Sequence, residues 1–278
     1  MDYFCTLLHN KNTIELKYTM ATFLFEDIIF GPVKSRRLGV SLGVNLLPVN
    51  KKICTFDCIY CECGFNNQNT NIKTQMPSKE EVLQNLKLVL EDMKAKGTAP
   101  NVITFAGNGE PTIHKDFEEI IDGTIALRDT YFPEARIAVL SNATLIDKPS
   151  VFRALNKIDD NILKLDSGLE ESINLLDQPV SKYSIKETVE NLKKFEGKLI
   201  IQTMFVKGTY NSKPIDNSTP EDIESWLKLL KIIAPKQVMI YTIERDTPVD
   251  GLKKIPIDKL NEIARLVENL GIKTQVSG

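Results

Sequence analysis

Histidine is nearly absent from this chain: His9 and His114 are the only two. Imidazole-based catalysis and a histidine-rich metal site therefore have little to draw on. Long apolar runs are missing too. None approaches the roughly 18 residues of a membrane span, so no membrane partner is expected. No basic segment followed by an apolar stretch opens the chain, so no signal peptide is expected. Charge of one sign is also lacking, with 35 Lys and Arg against 37 Asp and Glu and a net charge of −2. That balance argues against nucleic acid and leaves only a local basic patch open. Cysteine is sparse and odd in number at five, and four of the five fall between Cys54 and Cys63. The spaced pairs of a secreted disulfide framework are missing. No Gly/Ser-rich linker or low-complexity segment splits the chain. A reduced, cytoplasmic protein is the expectation.

A length of 278 residues suits one barrel-like α/β domain. Residues 1–22 show no clean period, and Met20 could serve as an alternative start. The expected division is an extension over 1–22, holding the lone thiol Cys5, and a core domain over 23–278. Gly31-Pro32 reads as a turn. Val40 to Leu47 alternates and is rich in branched residues, so it reads as a strand, ended by Pro48. A helix is expected from Ser78, boxed by Glu81 and closed at Gly97, with Val82, Leu86, Val89 and Met93 on one face. Further strands are expected at 101–106, 136–140, 161–165, 199–206 and 237–243. Helices are expected at 115–131, 149–155, after Ser184, after Thr219-Pro220 and at 257–270. Residues 272–276 read as a last short strand, and 211–220 as a surface loop.

Strand and helix thus alternate six times, which implies parallel strands with right-handed crossovers. A closed eight-unit barrel needs about 250 residues and eight repeats. Six units suggest an open, partial (β/α)6 barrel, with its site at the C-terminal ends of the strands.

The chemistry gathers at Cys54-Thr55-Phe56-Asp57-Cys58-Ile59-Tyr60-Cys61, which follows the first of these strands. Three thiolates on one short loop can bind three corners of a cubane iron–sulfur cluster, leaving one iron open. With Cys63 they could instead form a four-thiolate zinc site, although one residue between Cys61 and Cys63 is a tight spacing for a tetrahedral chelate. Gly107-Asn108-Gly109-Glu110-Pro111, after the second strand, could on its own be a tight turn. Arg36 and Arg37 are either a solvated charge pair or a fork reaching the barrel to hold an anionic group. His114 reads as a surface residue at a helix start.

The C-x3-C-x2-C motif with Tyr60 before its last cysteine resembles the signature of the radical S-adenosylmethionine (SAM) enzymes. Gly107 to Pro111 resembles the Gly-Gly-Glu motif of that superfamily, with Asn108 in place of a frequent glycine. The alternation from about Phe30 to Ile272 resembles its partial barrel. Ser35 to Gly39 and Ser41 to Val44 resemble an uncharacterised Fe–S oxidoreductase subgroup, distantly akin to the enzymes that form wyosine-type bases. The resemblance implies that Cys54, Cys58 and Cys61 hold a [4Fe–4S] cluster. It implies that SAM chelates the open iron and yields a 5′-deoxyadenosyl radical that takes hydrogen from a substrate. Tyr60, Gly107, Asn108, Gly109 and Glu110 are its expected SAM contacts, with Ser141, Asn142, Lys164, Asp166 and Gln202 for the ribose or the methionine carboxylate. Val206 and Ile240 or Tyr241 would pack on adenine. A flavodoxin- or ferredoxin-like reductant is the expected electron donor. The substrate, a small molecule or modified nucleotide, is not named by the sequence. An activating enzyme placing a glycyl radical on a partner protein is the alternative, and a non-catalytic zinc or electron-transfer module the remote one. Only Cys5 and Cys63 remain beyond the motif, which argues against a second cluster.

Overall fold

A computed structural model describes residues 22–35, 37–66 and 74–278. Apart from Thr22, the expected extension lies outside the described residues, with Cys5 and His9, and so does Arg36. The strands are β1 (Ile29–Ser35), β2 (Gly39–Val44), β3 (Val102–Phe105), β4 (Arg136–Ser141), β5 (Asp160–Lys164), β6 (Ile200–Tyr210), β7 (Lys213–Asp216), β8 (Gln237–Thr242), β9 (Lys253–Lys254) and β10 (Lys273–Ser277). The helices are α1 (Lys79–Ala95), α2 (Phe117–Tyr131), α3 (Pro149–Asn156), α4 (Glu170–Leu176), α5 (Ile185–Lys193), α6 (Pro220–Ile233) and α7 (Ile257–Glu268). They form one sheet in the order β1-β2-β3-β4-β5-β6-β8-β10, with β7 and β9 pairing to β6. From β2 to β10 every neighbouring pair on this path is parallel. The sheet is an open, curled half-barrel of the expected α/β class.

Strand alternation sorts the side chains into two layers. Leu42, Val44, Ile103, Phe105, Ile137, Val139, Leu163 and Ile201 point outward and meet the helices in the main core. Val102, Ala138, Ile162, Ile200 and Met239 point inward and fill the lower half of the barrel, with Leu38 packed against them. The upper half of the interior is left for polar residues.

The helix starts follow their caps. Ser78 and Glu81 form the full capping box of α1. Thr219 accepts from the Asp222 amide ahead of Pro220 in α6. At α5 Ser184 and Glu187 have the spacing of a capping box, and only half of it forms. Ser184 accepts from the Glu187 amide, while the Ile185 amide donates to the Glu170 carboxylate at the head of α4.

Three readings change. The Gly31-Pro32 turn lies inside β1, which pairs antiparallel with β2 through an irregular register between Phe30 and Val33. The expected surface loop at 211–220 contains a hairpin. Asn211 and Ser212 take φ of 49° and 61°, the pair of left-handed residues a two-residue turn requires, and β7 returns along β6. His114 is buried at 4% exposure, not at the surface; its Nε2 donates to Pro77 O at 2.8 Å and its Nδ1 accepts from the Asp116 amide. Among the described residues no helix is long and apolar enough to cross a membrane.

Candidate active site

The cysteine loop is clamped from two sides. On one side Ile53 donates to Asn108 O at 2.9 Å and accepts from the Glu110 amide at 3.1 Å. On the other, Ile59 donates to Leu176 O, Asp57 to Asp177 O and Val180 to Thr55 O, each at 2.9 Å. Inside the loop Asn66 accepts from the Cys54 amide and donates to the Cys54 and Phe56 carbonyls. Lys52 is buried beneath it, donating to Gly64 O at 2.7 Å and Asp57 at 3.2 Å. Burial opposes the Lys52 charge, but the sulfurs of Cys61, Cys54 and Cys58 outweigh it and push its pKa up.

Cys58 is buried, and Cys54, Cys61 and Cys63 are half-buried, all as free thiols. The four line a cavity of about 400 Å³ inside the upper barrel. Burial pushes Cys54 up to about 12, and Cys58 also well upward. Such thiolates are stable only beside positive charge, which iron would supply together with Lys52. The donor set therefore fits an iron–sulfur cluster. Cys61 differs, because a hydrogen bond from Cys63 holds it down at about 6.

Of the ten residues expected to bind SAM, eight line the same cavity: Tyr60, Gly107, Gly109, Glu110, Ser141, Asn142, Lys164 and Gln202. Asn108 and Asp166 stand behind its wall. Asn108 is fully buried, and its side chain joins Phe25 to Pro48 through three hydrogen bonds of 2.8–2.9 Å. It braces the turn from behind. The two glycines meet protein rather than open space. A Cβ on Gly107 would lie 2.8 Å from the Asn45 Cβ, and one on Gly109 would press into the backbone of Ile53. Glu110 is buried at 2% exposure. Its Oε1 accepts from the Thr112 amide and hydroxyl and from Ser141 Oγ, and among the described residues its Oε2 accepts only from the Asn142 amide at 2.7 Å. Burial raises its pKa against these four donors.

Lys164 ends β5 and points inward. Asp166 binds its ammonium at 2.8 Å, Asp177 lies 3.6 Å away, and the Tyr60 hydroxyl joins all three. Burial opposes the lysine charge, and the two carboxylates outweigh it and raise its pKa. Asp177 also accepts from Cys58 Sγ at 3.3 Å. It was invisible in the sequence, as the acid just past α4, a helix without a strong start signal. Replacing Lys164 with methionine would leave two buried carboxylates without their cation. We expect a loss of about 3–5 kcal/mol in urea unfolding, as for a buried pair broken on one side. A loss near that of an exposed pair would show that water already reaches the group.

Asn142 donates to Thr55 Oγ1 at 2.7 Å and to Cys54 Sγ at 3.5 Å, tying the end of β4 to the cysteine loop. Arg37 rises from the β1–β2 turn to reach Gln202 and Tyr241. Tyr241 lines the cavity. Ile240 points outward into the helix layer, and Val206 packs in the cluster around the cysteine loop, so neither faces the cavity.

Residues 52–230 match the family described as the Radical SAM superfamily. The chain is 28% identical to a protein named GTPase Obg from Brachyspira hyodysenteriae over 275 residues, 97% of this chain but 37% of that protein. It is 29% identical to a UPF0026 protein of Helicobacter pylori, over 87% of this chain and 74% of the relative. Its fold resembles that of a radical SAM methyltransferase from Sphaerobacter thermophilus, with a TM-score of 0.63 and 13% identity, covering 85% of this chain and 65% of that one.

Proposed function

Because the chain belongs to the radical SAM superfamily, we propose that it is a SAM-cleaving enzyme with one [4Fe–4S] cluster on Cys54, Cys58 and Cys61. The observation that carries this is one cavity lined by the three motif thiols and by eight of the residues expected around SAM. When bound, the cluster and SAM supply one-electron cleavage to a 5′-deoxyadenosyl radical, which abstracts hydrogen from the substrate.

The chain's own residues hold and shield that chemistry. Lys52 places a buried positive charge beside the thiolates, favouring the more negative, reduced state. The Asn142 amide aimed at Cys54 Sγ acts in the same sense. Glu110 Oε2, with one donor already in place, accepts the SAM ammonium as a charge-assisted hydrogen bond. Ser141, Asn142 and Lys164 face the ribose and carboxylate, and Tyr60 lies on the adenine side. Asp166 acts through Lys164 as a positioning residue. Core domain 23–278, a cytoplasmic location and a flavodoxin- or ferredoxin-like donor complete the reading.

A closed zinc site has less support. Only one residue separates Cys61 from Cys63, a tight spacing for a tetrahedral chelate. A cubane sets its thiolates on separate corners, whereas zinc gathers them at one point. The GTPase activity in one relative's name is not carried over, since this chain has no G-x-x-x-x-G-K-[ST] loop.

The test is anaerobic reconstitution with iron and sulfide. A brown protein with about four irons per chain that forms 5′-deoxyadenosine from SAM under dithionite is the expected result. A colourless, zinc-loaded chain that leaves SAM intact would refute the proposal.

A further inference from the structure

We propose that Arg37 is the receptor for an oxyanion, a carboxylate or phosphate, on the substrate. The inference rests on the SAM-cleaving reading of the cavity and names the substrate class for it. A guanidinium keeps its charge at any working pH and carries five N–H donors. Among the described residues Arg37 uses one of them on a neutral acceptor, Nη1 to Gln202 Oε1 at 2.8 Å. Its other contact is a ring face, with Cζ 4.5 Å from the Tyr241 centroid. Among the described residues no carboxylate pairs with it. Lys164, the register partner of Gln202 on the neighbouring strand, is held instead by Asp166 and Asp177. Of the three cations lining the cavity, Lys52 is paired with Asp57 and Lys164 with Asp166 and Asp177, while Arg37 has a neutral side-chain acceptor.

Arg37 is also held in place. Its carbonyl accepts from Gln275 Nε2 at 3.0 Å, and the next residue, Leu38, packs against the apolar floor. Because arginine only donates, Gln202 must turn its oxygen to Arg37, which leaves its Nε2 to donate to the Tyr241 hydroxyl at 2.8 Å. That phenol, accepting from Gln202, keeps its own proton to donate into the cavity. The remaining N–H groups of Arg37 and the Tyr241 hydroxyl proton have no acceptor among the described residues, and together they match the fork geometry of a carboxylate or phosphate. The set stands on the β6–β8 wall. The cysteine loop and Glu110 follow β2 and β3 at the other side of the sheet, so the oxyanion belongs to the molecule facing the SAM site.

The test titrates the full chain calorimetrically with inorganic phosphate and, separately, with acetate at constant ionic strength, with and without saturating SAM. Saturable binding of at least one anion, undisturbed by SAM and weakened about tenfold or more in Arg37→Gln, is the expected result; which anion binds separates phosphate from carboxylate. Tyr241→Phe removes only the second donor and should weaken binding about threefold or more. It carries the test if Arg37→Gln melts below the assay temperature. No saturable binding of either anion, or unchanged affinity in the folded variants, overturns the proposal. Displacement by SAM also overturns it, by assigning Arg37 to the SAM carboxylate. Failure of the SAM-cleaving reading shows separately, as a reconstituted wild-type chain that forms no 5′-deoxyadenosine.

Discussion

Cys58→Ala is expected to yield a folded, colourless chain that retains almost no iron and forms no 5′-deoxyadenosine. Cys58 is the most buried of the motif thiols at 8% exposure, at the centre of the clamped loop. Its loss leaves two motif thiolates for four irons, with the Asp177 carboxylate, 3.3 Å from the lost sulfur, as a poor replacement for a thiolate. Removing a partner that only supports a ligand already costs roughly 10–100-fold in metal affinity, and removing the ligand itself should exceed that. Cys63→Ala is the discriminating companion. Cys63 Sγ donates to Gly107 O at 3.5 Å, and under the proposed ligand set it would support the loop without binding iron. That variant should keep its iron and visible absorbance, with weaker retention under a chelator. Iron lost from Cys63→Ala and kept in Cys58→Ala would show that the ligand set has been misassigned.

The six βα units were legible because each carries a local signal, an apolar run followed by a helix-period stripe, and α1, α5 and α6 open on side-chain caps. Ser78 with Glu81 and Thr219 with Pro220 are examples that the structure places at helix starts. What escaped was decided by partners distant in sequence. β1 was hidden because Gly31-Pro32 looks like a turn, and only pairing with β2 makes an irregular edge strand of it. The β6–β7 hairpin was hidden because Pro214 and a polar composition outweigh the Asn211-Ser212 turn signal. At the site, the spacing of the cysteines named the loop, but not the residues that clamp it. Asp177 reaches Tyr60 and Cys58 from 117 and 119 residues away, and no local pattern marks it. Asn108 looked like a variable position in a ligand-binding turn; its tie to Phe25 spans 83 residues.

The same distinction between local spacing and tertiary docking makes Gly109→Ala informative. Gly109 has φ of +135°, and an added Cβ would lie 2.5 Å from the Ile53 carbonyl carbon and closer still to its oxygen. Those are backbone atoms, which no rotamer change can move aside. Ile53 immediately precedes Cys54, so relief of the clash must shift the root of the cysteine loop. It must also strain the two hydrogen bonds that join Ile53 to Asn108 and Glu110. A strained backbone residue costs about 1–3 kcal/mol, and two weakened hydrogen bonds add about 1 kcal/mol each. We therefore expect a loss of about 3–5 kcal/mol in urea unfolding, with iron retention falling sharply although all three ligands are present. Gly97→Ala is the control: it has φ of +67° at the end of α1 and nothing within 4 Å of its added Cβ. It should cost about 1 kcal/mol and leave iron content unchanged. Equal behaviour of the two variants would mean that glycine at 109 serves only its backbone angle. Selective loss of iron at 109 would mean that the glycine exists to seat the cysteine loop against the end of β3, with any approach to SAM following from that seating.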